Sequence, residues 1–209
     1  DNLPEGRVMW EHNREAIDVY GTSMALMLIP YWTGSSHPSM EGLFFESSLT
    51  VPFHFLNQAE MSFKPSQPVP GLSYRPFDFD RGIPPLQTYG VRYYVAVTEE
   101  AKTKAAADDR LALFAESSPF QVYELVEFSP IVEVASHEVS VLEHSEEPFG
   151  EVSLDWYGRI ELLDRWLVED GPRSWARVET IDEISTTPRI VAAGEVSETI
   201  LCASALSAP

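Results

Sequence analysis

Four side chains able to ligate a metal or move a proton lie close together: His37, Glu41, Glu46 and His54. Imidazole nitrogens and carboxylate oxygens form a donor set for a divalent ion, and an ion held that way would serve a metal-dependent hydrolase. The spacing works against such a site. Pro38 and Gly42 break any helix that would put His37 and Glu41 on one face, and there is no His-x-His or His-Glu-x-x-His pattern. A loop His37 and a half-buried helical His54 are the simpler expectation. Glu41 and Glu46 flank the apolar run Leu43-Phe44-Phe45, where a carboxylate must be paired, hydrogen-bonded or functional. With His54 they are the polar ligand-binding candidates, without a resident metal or cofactor. Tyr31-Trp32, at the start of a Gly/Ser loop, adds a flat aromatic platform that suits a sugar ring, beside the alternative of core packing.

Other groupings are weaker. Gly21-Thr22-Ser23-Met24-Ala25 approximates a nucleophile elbow, but too little chain precedes it to build the sheet and oxyanion loop that such a serine needs. Ser23 or Thr22 is expected to cap a short apolar helix, Met24 to Ile29, that stops at Pro30. Asp78-Phe79-Asp80-Arg81-Gly82 imitates the start of a calcium loop and lacks the bidentate glutamate downstream. His137, Glu138, Glu143 and His144 are as well explained by an exposed acidic edge. No residue is assigned a catalytic role.

The elements that must position these groups centre on residues 90–126. Val91 to Val97 is an apolar, β-branched and aromatic strand suited to cover on both faces. Thr98 caps a helix over Ala101–Ala107 that stops at Asp108-Asp109, and Leu111–Phe114 and Phe120–Val126 form a hairpin. Upstream, Arg7–Trp10 is a first strand and Leu43–Phe45 a second. Thr50 with Pro52 opens a helix through Met61, and Ile83–Tyr89 forms a helical turn or two, ended by Gly90. Downstream, Ile131–Val134 and Val139–Leu142 are short edge strands. Tyr157–Val168 has helical spacing, and Arg189–Ala192 with Glu195–Leu201 forms a hairpin. The expected fold class is α/β or α+β: a layered mixed sheet with helices in residues 1–128, and a smaller acidic appendage with strands and a linker in residues 129–209.

Composition sets further bounds. With 14 Lys+Arg against 33 Asp+Glu the net charge is −19, a field that repels nucleic acid and anionic headgroups. No Lys or Arg occurs between Arg110 and Arg159, a stretch holding ten acids, which is expected to be a solvated acidic surface. Cys202 is the only cysteine, so no intrachain disulfide forms, and no apolar run is long enough for a membrane helix. The chain opens on Asp1 rather than Met, as a piece excised from something longer would.

Several segments taken together carry a resemblance. They are Gly6-Arg7-Val8-Met9-Trp10-Glu11, Gly21 to Trp32, Pro38 to Ser48, Pro52-Phe53-His54-Phe55-Leu56 and Gly90-Val91-Arg92-Tyr93-Tyr94. The set resembles the extracytoplasmic soluble region of large multi-spanning membrane proteins of actinobacteria. These are grouped as YfhO-like or 6-pyruvoyl-tetrahydropterin-synthase-related, and they look like lipid-linked-sugar glycosyltransferases. The resemblance implies an accessory domain tethered to the outer face of the membrane by spans outside this sequence. Its implied partners are a cell-envelope glycan or lipid-linked sugar and the remainder of the parent chain. Glu41, Glu46 and His54 carry over as candidates because they stand inside matching segments, whereas Pro85 departs from the histidine expected before Leu86-Gln87. The zinc histidines implied by the synthase label have no counterpart.

Overall fold

The computed structural model describes residues 3–41, 50–129, 132–133, 135–188 and 201–202. The chain forms two compact units, Asp1–Ser129 and Pro130–Pro209. Both combine helices with sheets, one mixed and one parallel, so the fold is of the α/β to α+β type.

The first unit is built on a four-stranded sheet ordered β1-β2-β4-β3. Here β1 is Arg7–Trp10, β2 Val91–Ala96, β3 Leu111–Ser117 and β4 Phe120–Leu125. β1 runs parallel to β2, and β4 pairs antiparallel with both β2 and β3. The mostly apolar β2 lies inside the sheet with Val91, Tyr93, Tyr94 and Ala96 buried, as its composition requires. Alternation along the strands divides two cores, except where the register shifts between Val91 and Tyr93. Met9, Val91, Tyr94, Ala96, Tyr123 and Leu125 join the main core, and Val8, Trp10 and Tyr93 face a second, smaller one. The outer edge of β1 is covered by the chain near Ser39: Val8 N–H donates to Pro38 O at 2.8 Å and Met40 N–H to Val8 O at 3.0 Å.

Short helices α1 (Arg14–Ile17) and α2 (Ile29–Trp32) follow β1. The expected apolar helix ending at Pro30 is instead a 3₁₀ turn, Ala25–Leu28, running into α2. Pro30 lies in the first turn of α2, where its missing N–H costs nothing, so it starts a helix rather than stopping one. Ser23 caps nothing: its N–H donates to Asp18 Oδ1.

Helix α3 (Val51–Met61) begins at the expected place, although the Thr50 side chain does not cap it. It is buried nearly all round, with Met61 in the main core and His54, Asn57, Gln58 and Glu60 also buried. Helix α4 (Phe79–Thr88) starts four residues earlier than expected, because Asp78 accepts from Asp80 N–H and caps it. The supposed calcium loop is thus a helix start. At Gly82 a Cβ would collide with Met61, so glycine lets α4 approach α3 closely. Gly90, at φ 63°, turns the chain into β2. Thr98 caps α5 (Glu99–Ala107) by accepting from Ala101 N–H at 3.2 Å.

In the second unit β5 (Val132–Glu133) pairs antiparallel with β9 (Leu201–Cys202). A parallel sheet has β6 (Ser140–Leu142) between β7 (Leu167–Val168) and β8 (Ala176–Val178). The expected edge strand over Val139–Leu142 is therefore central, and Ser140, Val141 and Leu142 are buried. The expected helix over Tyr157–Val168 is corrected too. α6 spans Phe149–Gly158, Ile160–Leu162 is a 3₁₀ turn, and Leu167-Val168 is strand β7. Gly158 ends the helix, and the apolar residues beyond it serve Trp156, whose indole N–H is accepted by Leu162 O and Arg165 O. The acidic stretch is largely a solvated surface: Glu116, Glu127, Glu138, Glu146, Glu147, Glu151 and Asp155 are exposed. The expected strand Leu43–Phe45 and most of the final hairpin lie outside the described residues.

Two carboxylates fasten the first unit. Glu11, 1% exposed at the end of β1, accepts from Val97 N–H and Thr98 N–H at 2.8 Å each, Thr98 Oγ1–H at 2.6 Å and Phe63 N–H at 3.2 Å. Asp108, after α5, accepts from Arg110 through Nε, Nη2 and the backbone N–H, and Arg110 also reaches Asp80 at the start of α4. Glu11→Gln turns two acceptor oxygens into one acceptor and one donor against four donors, and should cost about 3 kcal/mol in urea unfolding. The Arg110 guanidinium holds the Asp108 carboxyl below its ordinary value. Its stabilisation is full above the ordinary aspartate pKa and is lost as pH falls through the lowered one. Asp108→Asn should therefore flatten that part of the acid limb in a stability–pH profile.

Candidate functional site

The polar side chains that the sequence brings to notice divide into a buried set and an exposed set. The segment 38–41 lies along β1 and delivers Glu41 to helix α3. There the carboxylate is 4% exposed and Oε1 faces His54 Nε2 at 2.9 Å. Gln58, one helical turn beyond His54, donates its amide to the same oxygen. A carboxylate in this position demands partners, and α3 supplies them at i and i+4. Gln58 Oε1 and Asn57 Oδ1 are buried acceptors without a partner among the described residues, while Asn57 donates to Gly82 O at 2.8 Å.

His37 does not join this cluster through any hydrogen bond among the described residues. It is 7% exposed, and its ring lies 6.0 Å from that of Tyr93. Ser36 Oγ donates to Thr33 O and stands 2.8 Å from His37 Nδ1. With the hydroxyl proton committed to Thr33, Nδ1–H is the donor to Ser36, which leaves Nε2 a bare lone pair. Glu46 lies outside the described residues. Among the described residues no group of three or more His, Cys, Asp or Glu is arranged to hold a metal ion. The contacts of Glu41 Oε1 with His54 and Gln58 tie the 38–41 segment to α3.

Tyr31 and Trp32 form the exposed set. Both project from α2, at 82% and 59% exposure, so the core-packing alternative does not apply to them. They are accompanied by exposed Val19, Tyr20, Met24 and Leu28 on the same excursion, which sequence reasoning did not single out. The excursion is anchored from below: Leu26, Met27 and Ile29 pack on Val8, Trp10 and Tyr93. Alternate use of neighbouring residues explains why the pattern was hard to see, since a short 3₁₀ turn presents no clean helical stripe.

A separate cleft of about 520 Å³ is lined by Phe63, Phe77, Glu99, Glu100, Thr103 and Lys104, with the Lys104 ammonium 4.6 Å above the Phe77 ring. None of the ligand-binding candidates lines it.

Glu41→Ala and His54→Ala should each destabilise by about 2–3 kcal/mol, because each strands a buried polar partner. In a double-mutant cycle by urea unfolding the pair should couple by about 1–2 kcal/mol, and strict additivity would show that the contact is idle. No family model matches this chain, and no curated protein or solved structure matches it.

Proposed function

We propose that this chain is a non-catalytic extracytoplasmic domain of a membrane glycosyltransferase-like protein of the cell envelope, and that it works by binding. The contact surface is the excursion ending in Tyr31 and Trp32, and the ligand is an envelope glycan or lipid-linked sugar, with the remainder of the parent chain as assembly partner. One observation carries this reading: six large apolar side chains stand exposed on one short excursion anchored by Leu26, Met27 and Ile29 against Val8, Trp10 and Tyr93. Exposed apolar surface of that kind marks an interaction site, and Trp and Tyr faces suit the C–H face of a pyranose. Glu15 to Phe63 contains no Lys or Arg, so the surface favours an uncharged partner over an anionic one. No helix among the described residues is long and apolar enough to cross a membrane.

Titration of the chain with a panel of gluco-, manno-, galacto- and arabino-oligosaccharides, followed by tryptophan fluorescence, tests this. Saturable binding should weaken about tenfold, or about 1.4 kcal/mol, in Trp32→Ala. Because both rings are exposed, unfolding free energy in Tyr31→Ala and Trp32→Ala should stay within about 0.5 kcal/mol of the parent. An unresponsive panel, or undiminished binding by Trp32→Ala, rules out sugar recognition at this platform.

A further inference from the structure

Arg7 is an exception among the cations of this chain. It opens β1, is half-buried, and its side chain makes one hydrogen bond among the described residues, from Nη1 to Tyr89 O just beyond α4. Among the described residues no carboxylate pairs with it. Every other described arginine stands against a carboxylate, apart from the exposed Arg173. In a chain with 33 acidic residues, that vacancy is not for want of carboxylates. Burial lowers the pKa of the guanidinium, as expected of a cation removed from water without a compensating charge.

The direction of the bond matters. Nη1 is committed to Tyr89 O, whereas Nε–H and Nη2–H, the edge that grips two oxygens side by side, have no partner among the described residues. We propose that Arg7 is an anion-binding residue whose Nε–Nη2 edge receives a phosphate-type oxyanion from outside the chain. The competing role is structural: the cation beside Tyr89 O neutralises the negative end of α4 and holds it to β1. That role uses Nη1 alone and leaves the two-pronged edge idle. It predicts a stability loss on substitution but no response to anions. The site is independent of the Tyr31–Trp32 platform, and neither residue enters its test.

The experiment follows the melting temperature of the full chain against inorganic phosphate and pyrophosphate, with sodium chloride adjusted to constant ionic strength and acetate as the carboxylate comparator. A saturable rise with phosphate or pyrophosphate, larger than with acetate, is expected. Arg7→Lys, which keeps the charge and loses the fork, should weaken the apparent affinity about tenfold, and Arg7→Gln should abolish the response. Arg14→Gln, at an exposed arginine paired with Asp18, should leave it unchanged. Should Arg7→Gln fail to fold, Arg7→Lys decides. Binding to phosphatidylcholine vesicles doped with phosphatidic acid, lost in Arg7→Lys and without a soluble counterpart, would place the phosphate on a lipid headgroup. No response by the parent chain to any phosphate probe, an equal response to acetate, or an unaltered response in Arg7→Lys would overturn the assignment.

Discussion

The first unit depends on one buried carboxylate. Glu11 sits where β1 ends, and its two oxygens collect donors from the end of β2, the cap of α5 and the chain leaving α3. These segments are distant in sequence, and no hydrophobic contact could fix their ends relative to one another as narrowly as four directed hydrogen bonds can. The arrangement also solves a local problem. The backbone N–H groups of Val97 and Thr98 lie between strand and helix, outside either ladder, and would otherwise be unsatisfied. Glu11 satisfies both, and through Thr98 it orders the residue that caps α5.

The same logic recurs in the other buried acids. Glu60, 1% exposed on α3, faces Arg75 and Arg81, which come from the loop before α4 and from α4 itself. Glu41 faces His54 and Gln58. Each buried acid joins a segment without regular structure to a regular element, and each is matched to its surroundings: amides for Glu11, guanidinium for Glu60, imidazole and carboxamide for Glu41. A chain with net charge −19 gains by this division. Its surplus acids stay at the surface, where water screens them, and those inside act as directional fasteners. Helix α3 can be polar and buried at once in part because Glu60, His54 and Gln58 are engaged this way.

Local signals account for what could be read from the residues. β2, the Thr98 cap, the stop at Asp108 and the opening of α3 near Pro52 depend on neighbours in sequence, and the structure has them where the residues place them. The misreadings share a cause. Pro30 can end one helix or begin the next, and only the preceding 3₁₀ turn selects the second role. The spacing over Tyr157–Val168 imitates a helix because Trp156 needs carbonyls and apolar cover from residues beyond Gly158. The site was legible in part. Glu41 beside His54 follows from the requirement that a carboxylate in an apolar setting find a partner. Gln58 could have been added from its i+4 spacing. Glu11 and Arg7 could not, since their partners lie between 52 and 87 residues away.

Arg7 and Glu11 make an instructive contrast. Arg7 opens the strand β1 and Glu11 directly follows its last residue, four positions on. They could be thought of as one balanced pair, yet the structure keeps them separate. Glu11 is fully served by neutral donors at one end of the strand, and Arg7 has a single carbonyl at the other. Had the role of Arg7 been to offset buried acid, Glu11 or Glu60 would be the natural counter-charge, and neither is used. Glu60 instead takes two arginines from another part of the unit. A protein that pairs its other half-buried guanidinium groups so consistently, and leaves one with its two-pronged edge open, has separated a group held for architecture from one available to a ligand.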